Sequence, residues 1–98
     1  MISTVELLDA ARRHQGDVTD YRIAKILGVP QATVSNYRTG RTKPINSIAM
    51  RLAELAGFDP VEAMVAVNLE RADTPEDREA WEMVMARVSA PKSRKTGH

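Results

Sequence analysis

Apolar residues recur along the chain in blocks spaced for one face of an α-helix, and each block is bracketed by start and stop signals. The first runs from Thr4 to about Gln15: Leu7, Leu8 and Ala11 take the core side, Ser3 and Glu6 form a Ser-x-x-Glu capping box, and Gly16 ends it. Thr19 caps a second helix, Asp20 to Leu27, with Ile23, Ala24 and Leu27 inward. A third spans Gln31 to about Arg38 and turns Val34 and Tyr37 to the core. Pro44 is expected to open a fourth, whose apolar face holds Ile45, Ile48, Ala49, Leu52 and Leu55 and which ends near Ala56, before Gly57. Asp59-Pro60-Val61-Glu62 starts a fifth, running to about Arg71 and apolar on more than one face, so it needs a second cover. Thr74-Pro75-Glu76-Asp77 starts a sixth, whose stripe of Ala80, Trp81, Val84, Met85 and Val88 can pack on the fifth helix or on a partner subunit.

The second and third blocks meet at Gly28-Val29-Pro30. Glycine ends a helix at a sharp turn because the left-handed conformation costs it almost nothing. Val29 then drops back to the core, Ala24 leaves room for two backbones to approach, and Pro30 sits at the start of the next helix, where a missing N–H does no harm.

These residues resemble the helix-turn-helix of the lambda repressor/Cro-like, or xenobiotic-response-element, family of bacterial and phage regulators. Ile23, Ala24, Leu27, Gly28, Val29, Val34 and Tyr37 carry the likeness, and Thr39-Gly40-Arg41-Thr42-Lys43-Pro44 is similar to the family's N-G-R-x-x-P loop. The likeness covers roughly Val5 to Pro60. Asp20 departs from it, standing where the family often has a phosphate-binding Gln, and Thr39 stands where Asn is common. The resemblance implies an all-α, five-helix lambda-repressor-like DNA-binding domain over residues 1–72, to which residues 73–88 add a C-terminal helix. Residues 89–98 read as a disordered basic tail.

A helix-turn-helix lays its second helix in the major groove. Gln31, Ala32, Ser35 and Asn36 lie opposite Val34 and Tyr37, and with Thr33 they are the candidate base readers. Gln and Asn can each pair with adenine in bidentate fashion, and the Ala32 methyl suits a thymine methyl. Arg22, Arg38, Arg41, Lys43 and Asn46 are the candidate phosphate contacts. Twofold symmetry is expected of a regulator with so short a reading helix, so Trp81, Val84, Met85 and Val88 are the candidate dimerisation residues.

Charge supports this division. The net charge of +1 hides a segregation: residues 1–58 carry eight Lys or Arg against five Asp or Glu, residues 59–88 three against eight, and residues 89–98 three against none. The positive part coincides with the helix-turn-helix, and the acidic helices should face away from DNA. The absence of cysteine excludes disulfides and thiolate metal sites, and no membrane span or secretory leader is expected. No motif places paired catalytic carboxylates, a Ser-His-Asp set or a phosphate loop, so neither an enzyme nor a cofactor is expected. The expectation is a cytoplasmic, homodimeric regulator, most simply a repressor, that binds double-stranded DNA at a pseudo-palindromic operator. Two alternatives are an antitoxin whose fifth and sixth helices bind a toxin, and a protein-interaction adaptor that uses the fold as scaffold.

Overall fold

Six helices form close to where the caps and glycines place them in the computed structural model, which describes residues 1–89; the basic tail, apart from Ser89, lies outside the described residues. They are α1 (Thr4–His14), α2 (Asp20–Leu27), α3 (Gln31–Thr39), α4 (Asn46–Ala56), α5 (Pro60–Arg71) and α6 (Pro75–Val88), with no strand among the described residues. The Ser3–Glu6 capping box is complete: the Ser3 hydroxyl accepts from the Glu6 amide at 3.1 Å and the Glu6 carboxylate accepts from the Ser3 amide at 2.9 Å. Thr19, Asp59 and Thr74 likewise accept first-turn amides of α2, α5 and α6.

One core draws on α1 to α5. Leu7, Leu8 and Ala11 meet Ile23, Ala24 and Leu27, Val34 and Tyr37 close one side, and Ala49, Leu52 and Ala53 of α4 cross beneath. Fully burying each large aliphatic side chain contributes about 1.5–3 kcal/mol. Burial pushes the Tyr37 phenol above its ordinary pKa, and the ring is a core residue.

The start of α4 differs from expectation. Pro44 does not open the helix; it is buried two residues ahead of it, and Ile45 serves as N-cap in an extended conformation (φ −69°, ψ 166°). That backbone turns Ile45 away from the face shared by Ala49 and Leu52, and it stands 59% exposed.

The surplus apolar surface of α5 is used on two sides. Ala63 and Val67 join the main core, while Val65, Ala66 and Leu69 are buried outside it. The helix lies between α4 and α6, and Met1, Ile2 and the α6 residue Arg78 border a hollow that Ala66 and Leu69 also line. Thr4 closes this end: its amide donates to both Glu70 carboxylate oxygens at 3.2 Å, and its hydroxyl donates to Oε1. Within α6 no residue is fully buried. Trp81, Met85 and Val88 are half-buried on one face, whereas Val84 is 41% exposed.

Candidate nucleic-acid interface

The corner between α2 and α3 is built by backbone hydrogen bonds. Gly28 adopts φ 76°, ψ 30°; its amide donates to Lys25 O at 3.2 Å, and that of Val29 reaches back to Ala24 O at 3.0 Å, the paired bonds of a Schellman motif. A Cβ on Gly28 would meet no atom within 4 Å, so the cost of adding one is conformational alone. Gly28→Ala is therefore expected to lower stability by about 1–2 kcal/mol, the cost of left-handed backbone to a residue with a Cβ, as read from urea unfolding. No measurable change would show that the turn relaxes.

Two long side chains lock the corner from outside. Arg51 of α4 donates from Nη1 to Leu27 O at 2.8 Å and from Nη2 to Ile26 O at 3.0 Å, taking up the last carbonyls of α2. Arg38 of α3 donates from Nε and Nη2 to the two carboxylate oxygens of Asp20, at 3.1 and 2.8 Å, and from Nη1 to Asp9 at 2.6 Å. It thus ties α3 to α2 and α1. Hydrogen bonding to Asp20, more than that to Asp9, holds the Arg38 pKa above its ordinary value.

Asp20 is thereby paired with a cation of its own chain, and Arg38, expected as a phosphate contact, commits three of its five N–H donors to Asp20 and Asp9. Arg38→Ala is expected to cost about 1–2 kcal/mol of stability, since charge-assisted bonds exceed neutral ones but the partly exposed partners are screened. Chemical denaturation checks this. A stability change near zero would return Arg38 to the pool of surface charges.

The outer face of α3 is open. Gln31, Ala32 and Ser35 are exposed, Thr33 and Asn36 are half-buried, and Val34 and Tyr37 point inward. The helix extends one residue further than expected, so Thr39 joins Ala32, Ser35 and Asn36 at helical spacing. The Asn36 carbonyl anchors the loop beyond the helix: it accepts from the amides of Arg41 at 2.9 Å and Thr42 at 3.3 Å, with Gly40 left-handed at φ 81°. Arg41 is exposed and Lys43 half-exposed on that loop. Arg22 and Lys25 are exposed on α2, and the Lys25 ammonium lies 5.4 Å from the centroid of the Tyr21 ring, within cation–π range. Among the described residues, Arg22, Lys25, Arg41 and Lys43 have no ion-pair partner.

Asn46, the first residue of α4, has its amide oriented from behind. Asn68 of α5 donates from Nδ2 to the Met64 carbonyl at 2.9 Å and to Asn46 Oδ1 at 2.8 Å. A carbonyl can only accept, so this pair fixes which atom of Asn68 faces Asn46 and leaves the Asn46 Nδ2 donors for other partners.

The helix N-termini fall into two kinds. Those of α1, α2, α5 and α6 each have a side-chain cap and at least one acid in the first turn. Those of α3 and α4, headed by Pro30 and Ile45, have neither. At these two ends no side-chain cap or first-turn acid competes for the positive end of the helix dipole, although the Thr33 amide of α3 already donates to Pro30 O at 3.0 Å, and the Arg41–Lys43 loop connects the two helices.

Sequence patterning reached the face of α3 and the basic loop. It did not reach Arg51, the Arg38 clasp or the Asn68–Asn46 pair, because each joins residues 18 or more positions apart. Among the described residues no cluster of His, Cys, Asp and Glu could hold a metal, and no helix is long and apolar enough to cross a membrane. Comparison of the chain with protein-family models, curated proteins and solved structures finds no match.

Proposed function

We propose that this protein is a sequence-specific double-stranded DNA-binding transcriptional regulator, a repressor that occupies a pseudo-palindromic operator as a homodimer. In this reading α1 to α5 make a lambda-repressor-like domain with α6 appended, and α3 lies in the major groove. Gln31, Ala32, Ser35 and Asn36 read base edges with Thr33 at their flank. Arg22, Arg41, Lys43 and Asn46 meet phosphates, while Arg38 holds α3 in place.

The observation that carries the reading is the pair of open helix ends. A missing N-cap costs about 0.5–2 kcal/mol, and an anionic partner at that end offsets the loss. The two uncapped, acid-free termini belong to the helix with the open polar face and to the helix that follows the basic loop. A phosphate backbone across both would supply the missing acceptors, and Arg41 and Lys43 would meet the same strand.

Selection of bound sequences from random duplex DNA tests the proposal. An enriched pseudo-palindrome with half-sites about 34 Å apart is expected, one helical turn of B-DNA. Recovery of no enriched sequence would sink the DNA reading in favour of the adaptor.

A further inference from the structure

The face of α6 that is free differs from the one the apolar stripe suggested. Trp81, Met85 and Val88 are turned to the half-buried side. The opposite side presents Glu76, Ala80, Met83 and Arg87, spaced four, three and four residues apart and all exposed, with Met83 at 65% and Val84 beside them at 41%. Such spacing places the four on one line down the helix. The line is acidic at its start, basic at its end, and apolar between. Among the described residues neither Glu76 nor Arg87 has an ion-pair partner in its own chain.

We propose that this face is an interface with a second copy of the chain, in which two α6 helices pair antiparallel about a twofold axis near Glu82. The line is complementary to itself in that orientation alone. Antiparallel pairing sets Glu76 against the second copy's Arg87 and Ala80 against its Met83, twice each by symmetry, so opposite charges meet at both ends and a small side chain receives a large one in the middle. Parallel pairing would set Glu76 against Glu76, Met83 against Met83 and Arg87 against Arg87. The helix is 14 residues long, about 21 Å. A contact of that length belongs to the small class of interfaces, so the dimer dissociates reversibly on dilution. This deepens the homodimeric part of the function proposed above by naming its surface.

Sedimentation equilibrium without DNA tests the surface apart from the DNA reading. The wild-type chain is expected to dimerise with rising concentration and Met83→Glu to remain monomeric, with helix content by circular dichroism unchanged. The orientation is tested by cross-linking, for which the chain's lack of cysteine leaves a clean background. In the antiparallel pair, two copies of position 76 lie about 16 Å apart along the helix axis, eleven residues of rise, while 76 and 87 of opposite chains are level. Glu76→Cys and Arg87→Cys, treated with a short bis-maleimide, should each fail to cross-link alone and should form a covalent dimer when mixed. Self-cross-linking of either variant, or dimerisation that survives Met83→Glu, would overturn the interface, as would a wild-type monomer at millimolar concentration. If the dimer stands but no operator is selected, the DNA reading fails and this one survives. If the wild-type chain stays monomeric at millimolar concentration and selects only a half-site, the dimer fails and DNA binding survives without it.

Discussion

Leu52→Ala is expected to remove about 2–5 kcal/mol of folding stability, the range for truncating a buried leucine when the cavity cannot fully collapse. Leu52 is fully buried in the cluster that α4 shares with α1, α2 and α3, so its loss opens a space bounded by several helices. Domains of this size are stable by about 5–15 kcal/mol, and the variant should lose a large share of that. The matched control is Ile45→Ala. Periodicity put Ile45 and Leu52 on one face, yet the exposed Ile45 should change stability by no more than about 0.5 kcal/mol. Urea titration followed by circular dichroism separates the two. Equal losses would mean that Ile45 is buried after all, and that α4 starts one residue earlier.

Gln31→Ala and Arg41→Ala should weaken DNA binding in different ways. Gln31 is exposed in the first turn of α3, where, on the proposed reading, a bidentate contact to a base would contribute about 1–3 kcal/mol of discrimination. Its loss should relax preference at one base pair in each half-site and leave the others unchanged. Arg41 is held on the loop by the bond from its amide to the Asn36 carbonyl, and its side chain has no partner among the described residues. Removing it should weaken all sequences alike and lower the slope of log affinity against log salt by about one. The check is a panel of single-base variants of the selected site, measured at several salt concentrations. If both substitutions act uniformly, Gln31 does not read a base.

Local chemistry made most of the helices legible. Ser3 and Thr19 are caps in sequence and caps in structure, and α5 and α6 start where the runs Asp59-Pro60 and Thr74-Pro75 place them, because a capping bond spans only two or three residues. The stops at Gly28 and Gly57 follow from backbone preference at one position. What the sequence did not disclose depends on distant partners. In sequence Arg38 stands as a free cation on α3, and nothing near it in sequence shows that Asp9 and Asp20 converge on it. For Asp20, the helix-dipole reading was local and correct in kind, but it missed the guanidinium 18 positions away. Pro44 failed for another reason. Proline is accepted at a helix start and also in the extended residues before one, and sequence alone does not choose between them. In α6 periodicity singles out the stripe of Ala80, Trp81, Val84, Met85 and Val88, and the structure divides it: Trp81, Met85 and Val88 are half-buried, while Ala80 and Val84 are exposed.

The two buried sides of α5 bear on where the chain can be divided. A fragment ending at residue 72 keeps the core built by α1 to α5, yet it strips away α6, which packs on α5 and borders hollows lined by Ala66 and Leu69. Those side chains would then form a greasy seam on an otherwise foldable piece, of the sort that drives precipitation. The limit of the five-helix unit is thus a limit of topology rather than of autonomy. A minimal version of this protein for crystallisation or fusion belongs beyond Val88, with α6 kept as the lid on that seam.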